Sequence, residues 1–343
     1  MRATLLGLTG LLCCLAACGP IGGTEPYDNS GGAGGSGGGS AGTGVSPRPP
    51  NPHNRQSLIW IWENYPLSIS KVVANANSFT HASPALYQLN YDYQSGVAQG
   101  VIASGYYSGV NGKQMAAELH AAGLKVVPLM YAGAGNNGTD QGIQNVLTNP
   151  AVAQSFITSQ VQEAVDNGYD GWNLDWEVGS TSYAQFGQPL ITFLTAFKAA
   201  LHAQNMELSF DLGGWYIKQC TASGGNGLVD LKAFGPAVDQ AIIEDYAKSF
   251  DGSTGTCPST TPDSQDCDSF GNGLSVMCST PSSVVSIGLI TPGSNTFADQ
   301  ALSAVSGYGF SSVALWPDDQ FLDNSGIPNN GTWYSVLGNW LAN

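Results

Sequence analysis

Two acidic residues near the end of an apolar stretch, Asp175 and Glu177, are the best placed in this sequence to do chemistry. They close residues 169–177, in which polar and apolar side chains alternate. Because strand side chains point to opposite faces with period two, Asn173, Asp175 and Glu177 share one face. The two carboxylates then lie one repeat apart, roughly 7 Å between Cα atoms. This spacing predicts a strong interaction between their charges.

Repulsion between two such charges prepares one of them to act as an acid. It raises the pKa of one carboxyl, which then keeps its proton near neutral pH and can give it to a departing oxygen. We interpret Glu177 as this acid and Asp175 as its partner. The alternative is an acidic face that meets solvent or binds a metal ion, although none of the four histidines lies on this strand.

The sequence predicts that alternating strands and helices position these residues. One predicted helix begins at Asn149 and Pro150 and ends at Gly168. A second covers residues 189–203, and a third ends at Gly123. Eight apolar stretches predict buried strands, at residues 58–62, 85–91, 125–131, 171–177, 207–212, 238–246, 284–290 and 312–316.

This alternation favours parallel pairing through crossovers, and eight strands in one domain predict an α/β fold, a single (β/α)8 TIM barrel. A doubly wound open sheet is the alternative, but no Gly-x-Gly-x-x-Gly turn follows the first predicted strand. A barrel predicts that chemistry takes place at the carboxyl ends of its strands.

The acidic pair belongs to a longer pattern, Asp-Gly-x-x-x-Asp-x-Glu, at the fourth predicted strand. This pattern resembles the signature of family 18 glycoside hydrolases, the chitinases and endo-β-N-acetylglucosaminidases. The matching positions are Asp170, Gly171, Asp175, Trp176 and Glu177. Looser resemblance covers most of residues 57–343. Residues 238–246 look like the family's sixth strand and residues 313–316 like its eighth.

The resemblance implies a retaining, substrate-assisted mechanism, in which the 2-acetamido oxygen of the substrate is the nucleophile. Glu177 would be the general acid and base, and Asp175 would hold the acetamido N–H. Tyr246 would bind the acetamido oxygen, and Trp316 would form the floor of the sugar site. Asp170 and Gly171 would shape the motif.

Three departures from the family pattern stand out. Most members have Asp where this chain has Asn173, which can bind Asp175 and substrate but cannot share a charge. Residues 128–135 lack the third-strand Ser-x-Gly-Gly pattern. Glu244 stands two residues before Tyr246 and should face inward, either as a substrate contact or as a modulator of the pKa of Glu177.

Residues 248–281 form a long loop after the sixth strand, which is interpreted either as a disulfide-pinned rim of the site or as a loop without a role in it. Four cysteines remain in the mature chain, an even number that predicts two disulfides in an oxidising compartment, with three pairings open. A zinc site is the rival, but no Cys-x-x-Cys pair is present. Trp215 follows a Gly-Gly turn and is a candidate platform for sugar stacking. The four cysteines are Cys220, Cys257, Cys267 and Cys278.

The N-terminal region reads as an export signal and tether. Residues 1–17 have a basic start and a short apolar core, and Leu15-Ala16-Ala17-Cys18 matches a bacterial lipoprotein cleavage box, with Cys18 lipidated. An ordinary signal peptide cleaved near Ala17 is the alternative. Residues 18–55 form a Gly- and Ser-rich tether before a hydrolase domain at 56–343. The chain is thus expected to be exported and anchored to a bacterial membrane by lipid alone.

The composition of the chain limits the classes of molecule that it is expected to bind. The formal charge of −15 argues against nucleic acid, because a phosphate backbone needs a basic surface. The expected function is hydrolysis of β-1,4 bonds beside N-acetylglucosamine in chitin or chito-oligosaccharides, by a monomer without metal or organic cofactor. The alternatives are an endo-β-N-acetylglucosaminidase for glycoprotein N-glycans, a barrel hydrolase of different sugar specificity, and a non-catalytic carbohydrate-binding protein on the same barrel.

Overall fold

The structure is a computed structural model that describes residues 50–61, 65–92, 94–102, 110–132, 139–177, 186–213, 231–247, 282–290, 295–316 and 331–343. These residues all belong to one compact unit, Val45–Asn343. The proposed signal, Cys18 and most of the tether lie outside the described residues.

Ten strands within these ranges form one sheet. Their bounds are Gln56–Ile61 (β1), His81–Asp92 (β2), Val97–Ile102 (β3), Lys125–Val126 (β4), Leu129–Ala132 (β5), Gly171–Trp176 (β6), Glu207–Leu212 (β7), Gln240–Ala247 (β8), Val285–Ile290 (β9) and Ser312–Trp316 (β10). The eight helices described are Tyr65–Ala74 (α1), Gly112–Ala121 (α2), Thr139–Thr148 (α3), Pro150–Asn167 (α4), Gly187–His202 (α5), Leu231–Phe234 (α6), Asn295–Gly307 (α7) and Gly331–Ala342 (α8).

The sheet closes on itself as a parallel barrel. Strand β1 pairs in parallel with both β2 and β10, and every other neighbouring pair around the ring is also parallel. Strands β4 and β5 together fill the third of eight positions, so β6 is the fourth barrel strand and β8 the sixth. With helices between the strands, this arrangement confirms the predicted (β/α)8 barrel.

Two local features were not predicted from the sequence. Strand β3 pairs antiparallel with the far end of β2 and stands outside the ring. The third barrel strand is broken at Pro128, which has no N–H to give to a sheet ladder. The predicted single strand 125–131 is therefore two short strands.

Helix α4 shows how local sequence sets an element. Asn149 adopts an extended conformation, and its side chain accepts hydrogen bonds from the N–H groups of Ala151 and Val152. Pro150 opens the helix, and Gly168 ends it in the left-handed conformation. The start and end predicted for this helix are both confirmed.

The outer face of β6 packs against the helices. Trp172, Leu174 and Trp176 are all at most 1% exposed. The ring of Trp176 stacks on Phe193 of α5, with 5.2 Å between centroids. Fully burying one large apolar side chain stabilises a fold by about 1.5–3 kcal/mol. This packing therefore holds the opposite, polar face of β6 toward the barrel interior.

The barrel interior has an apolar middle layer contributed by several strands. Its buried members are Leu58, Trp60, Ala85, Val127, Leu129, Ile242 and Ala314, with Tyr131 and Trp316 packed against them. Because Ile242 precedes Glu244 by one strand repeat, the same face of β8 continues toward the carboxyl end of the barrel. The candidate site thus has a packed floor.

At the amino end of the barrel, Glu207 forms an ion-pair cluster. Its carboxylate oxygens lie 2.7 Å from His81 Nε2 and 2.7 Å from Lys125 Nζ. Burial acts to raise the pKa of Glu207, but hydrogen bonds and charge from His81 and Lys125 outweigh it and lower the pKa to about 2. The cluster is therefore a source of stability that depends on the ionised carboxylate.

We expect the change Glu207→Gln to reduce the free energy of unfolding at pH 7 by about 3 kcal/mol, since that is what such a pKa difference is worth. A lowered folded-state pKa contributes stability above the unfolded value, about 4.3, and this is lost as pH falls toward about 2. Urea unfolding of wild type and variant between pH 7 and pH 2 measures this change in the free energy of unfolding. The exposed Glu118→Gln is the matched control, and equal pH dependence in wild type and Glu207→Gln would contradict the prediction.

Among the residues searched, no helix combines the length and the apolar character needed to cross a bilayer.

Candidate active site

The polar face of β6 delivers the predicted residues to the carboxyl end of the barrel. Asn173 is fully buried in the interior, Asp175 is partly buried, and Glu177 directly follows the last strand residue. The backbone N–H of Glu177 donates to the carbonyl of Ala132, 2.7 Å away, which extends the pairing with β5 by one step. The acid is thus placed by a rigid strand end.

The start of β6 explains the first two motif residues. A Cβ on Gly171 would collide with the backbone of Glu207 on the next strand, so only glycine allows this pairing. Asp170 Oδ2 accepts from the N–H of Val126 and lies 2.7 Å from His120 Nε2. Both residues act at the end of the strand away from Glu177, which fits the structural role expected of them.

Three carboxylates converge at the carboxyl end. One oxygen from each of Asp175, Glu177 and Glu244 lies within 4.8 Å of the other two. Glu244 comes from β8, so the sixth barrel strand faces inward at this point, as expected. Three acidic groups this close cannot all be ionised without strong repulsion, which favours holding a proton among them.

The environment of Glu177 suits a proton donor. Burial raises the pKa of Glu177 above its ordinary value, and a hydrogen bond from Tyr131 partly opposes this. Tyr131 lies on β5, where its Cα is the register partner of Asp175. Sequence reasoning missed Tyr131, although its place at the end of the third predicted strand was a signal that could have found it.

Replacing Tyr131 by Phe is expected to move the alkaline limb of the activity profile to higher pH. The hydroxyl stabilises the ionised form of Glu177, so its loss raises the pKa of Glu177 further. A general acid must be protonated, and activity falls as pH rises through its pKa. The pH dependence of kcat/KM measures the shift, with Tyr308→Phe as control. An alkaline limb that stays in place or moves to lower pH would show that Tyr131 does not act on Glu177.

Asn173 is the centre of a buried hydrogen-bond network below the carboxylates. Its Oδ1 accepts from Trp60 Nε1 at 2.9 Å and from Ser83 Oγ at 3.0 Å. Its Nδ2 donates to Asp211 Oδ1 at 2.7 Å. These contacts assign the amide orientation, because two donors meet the oxygen and a carboxylate meets the nitrogen.

Asp211 is a further acidic residue of the site that sequence reasoning did not identify. It lies on β7, is 3% exposed, and has Asp175 as its register partner on β6. Burial and then the charge of Glu244 raise the pKa of Asp211 well above its ordinary value, while the hydrogen bond from Asn173 acts to lower it. The alternation of Glu207, Ser209 and Asp211 with apolar residues was the available signal.

A pair of tryptophans, Trp60 and Trp316, lies beside the carboxylates in the described part of the site. Trp316 ends β10 and stays partly exposed, with its ring centroid 6.0 Å from that of buried Trp60. Its partial exposure at the barrel mouth makes Trp316 a candidate for stacking on a sugar ring.

The carboxylate cluster is also where a cation could be held. Of the residues searched, only Asp175, Glu177 and Glu244 bring three ligand atoms so close together. Oxygen donors of this kind suit a hard cation, but a carboxyl that retains its proton is a poor ligand. The raised pKa of Glu177 therefore fits proton transfer better than metal binding.

Several predicted residues lie outside what the structure describes. They are Trp215, the cysteines Cys220, Cys257, Cys267 and Cys278, and the lipidation candidate Cys18. Tyr246 belongs to β8, but its side chain is also outside the described part. The roles and disulfides assigned to these residues stay predictions.

Comparisons with known proteins bear on the fold. No family model matches the chain, and no curated protein matches its sequence. A chitinase from Chromobacterium violaceum superimposes with a TM-score of 0.61 at 15% identity, over 84% of this chain and 99% of that one. A class V chitinase from Nicotiana tobaccum, solved in complex with NAG4, gives 0.63 at 12% identity, over 84% and 99%.

A third similar structure is the spore cortex-lytic enzyme SleL of Bacillus megaterium. Its TM-score is 0.60 at 14% identity, over 86% of this chain and 75% of that one. At such low identities the likeness concerns the arrangement of the backbone. The chain therefore has the (β/α)8 barrel fold that these chitinases and SleL share.

Proposed function

We propose that this protein is a chitinase-like glycoside hydrolase that cleaves β-1,4 bonds beside N-acetylglucosamine with retention of configuration. The observation that carries the proposal is the cluster of Asp175, Glu177 and Glu244 at the carboxyl end of the barrel, with the pKa of Glu177 raised by burial. Catalytic groups of (β/α)8 enzymes lie at this end. The chitinase folds found by comparison add support.

In the first step, Glu177 protonates the departing glycosidic oxygen. The 2-acetamido oxygen of the substrate attacks the anomeric carbon as the bond to the leaving group breaks, and an oxazolinium ion forms. Asp175 accepts a hydrogen bond from the acetamido N–H, and its negative charge offsets the positive charge that develops on this group. Tyr246 orients the acetamido oxygen, and Trp316 lies beneath the ring.

In the second step, ionised Glu177 removes a proton from water, and the resulting hydroxide attacks the anomeric carbon. The acetamido oxygen leaves, and the acid form of Glu177 is restored. Retention follows from the two attacks, because the acetamido oxygen and then water each invert the configuration of the anomeric carbon.

We further propose that the protein reaches its polymer outside the cytoplasm, exported and held to a bacterial membrane through lipidated Cys18. The support is the sequence of residues 1–55. Incorporation of labelled fatty acid into the wild-type chain, with none in Cys18→Ala, is the expected result. Equal labelling of both chains, or of neither, would contradict the anchor.

A substrate panel tests the activity. The full chain is incubated with labelled chito-oligosaccharides, a high-mannose glycopeptide and isolated spore cortex, and products are followed by mass spectrometry. We expect cleavage of the chito-oligosaccharides. Cleavage of the glycopeptide alone would reassign the enzyme to N-glycans, and cleavage of the cortex alone to another polymer. Binding without cleavage of any of them would indicate a carbohydrate-binding protein instead.

A further inference from the structure

Asp211 occupies a position in the site that the proposed mechanism does not use. It lies on β7, beside β6, and its Cα is the register partner of Asp175. Register partners on adjacent parallel strands point to the same side of the sheet, so the two carboxyl groups stand side by side in the barrel interior. The inward-facing acidic residues of β6 therefore have an acidic neighbour on β7.

Asp211 is tied to the residue that departs from the family pattern. Asn173 Nδ2 donates to Asp211 Oδ1 at 2.7 Å, while both hydrogen bonds to Asn173 Oδ1 come from Trp60 and Ser83. Asn173 is therefore fixed in one orientation and presents no carboxyl group. The carboxyl group that meets its Nδ2 comes from Asp211 on the neighbouring strand.

The second carboxyl oxygen of Asp211, Oδ2, indicates the protonation state of this residue. Oδ2 is buried and has no hydrogen-bond partner among the described residues. An ionised carboxylate left this way, 3% exposed and near the negative Glu244, would be strongly disfavoured. A protonated Oδ2–H removes the charge and turns the atom into a donor for an acceptor in the site.

We propose that Asp211 is a positioning residue of this site, which supplies from β7 the buried carboxyl group that Asn173 lacks and keeps it protonated beside Asp175 and Glu244. The titratable groups facing it in the described structure are Asp175 on β6 and Glu244 on β8. Trp60 on β1 and Asn173 on β6 are its neutral neighbours. The proton on Asp211 lets these two carboxylates stay ionised while substrate binds. The kinetic part of this inference rests on the proposed function.

Two substitutions of Asp211 test the proposal. In Asp211→Leu, which removes the donor and the acceptor together, kcat on chito-oligosaccharides is expected to fall by about tenfold to a hundredfold, the range expected when a catalytic group is misplaced. The pH profile of kcat is expected to shift with it. In Asp211→Asn, most of the rate is expected to remain, because a neutral amide can donate and accept hydrogen bonds as the protonated carboxyl does. The exposed Asp166→Asn serves as the matched control.

Two kinetic results would overturn the proposal: an unchanged rate and pH profile in Asp211→Leu, or an Asp211→Asn variant as slow as Asp211→Leu. Infrared spectroscopy supplies a readout independent of substrate. The protonated-carboxyl band of Asp211, identified as the band that the Glu177→Gln variant retains, should be present in wild type at pH 7 and absent in Asp211→Asn or, where that variant does not fold, in Asp211→Leu. Its absence from wild type would overturn the proposal. A wild type that cleaves nothing but shows the band would refute the proposed function and leave Asp211 protonated as inferred.

Discussion

Replacing Glu177 by Gln is expected to slow the hydrolysis of chito-oligosaccharides by about a thousandfold, within the range that general acid–base catalysis supplies. The amide keeps the size of the side chain but cannot give a proton to the leaving oxygen. Burial raises the pKa of Glu177, so the wild-type group carries that proton where the variant has none to give. Steady-state kinetics at several pH values measure the loss.

The pattern across kcat and KM separates this role from a structural one. Because the proton is transferred only in the transition state, kcat and kcat/KM should fall together while KM changes little. Glu118→Gln, an exposed acidic residue of α2, is the control and should behave like wild type. Equal activity in Glu177→Gln and wild type would remove Glu177 from its assigned role.

The change Asp175→Asn is expected to lower kcat/KM by about a hundredfold, comparable to the loss of one electrostatic contact to developing charge. The amide can still accept a hydrogen bond from the acetamido N–H, so it removes chiefly the negative charge. That charge matters most when the oxazolinium ion forms. The effect should therefore be concentrated on the transition state rather than on the bound substrate.

Two affinities test where the charge acts. A thiazoline analogue of the oxazolinium ion should bind Asp175→Asn more weakly by about the same factor as kcat/KM falls. Affinity for the intact oligosaccharide should change little. Asp166→Asn, on the exposed face of α4, provides the matched comparison. Equal weakening for the analogue and the oligosaccharide would instead make Asp175 a general binding residue.

Much of the fold could be predicted because its signals are local. The period-two alternation before Glu177 identifies the outward Trp172 and Trp176 and the inward Asn173, and the structure places them so. The β2–β3 hairpin was not predicted, although its turn has a local signal, an Asp92 side chain that accepts from the N–H of Gln94.

The site was harder to predict because its members meet only through the closure of the barrel. Tyr131 and Asp211 come from β5 and β7, the strands on either side of β6. A motif confined to one strand contains no information about which residues its neighbours place beside it. The alternation around Asp211 is as clear as that around Asp175, but its burial and its bond to Asn173 depend on the register between strands.

The most direct test of the account is the configuration of the first product. Hydrolysis of a chito-oligosaccharide by the wild-type chain is followed by proton NMR faster than the anomers equilibrate. Attack by the acetamido oxygen followed by water inverts the anomeric carbon twice, so the new reducing end should appear first as the β-anomer. Initial release of the α-anomer would contradict the substrate-assisted mechanism, and no release of sugar at all would contradict the proposed hydrolase.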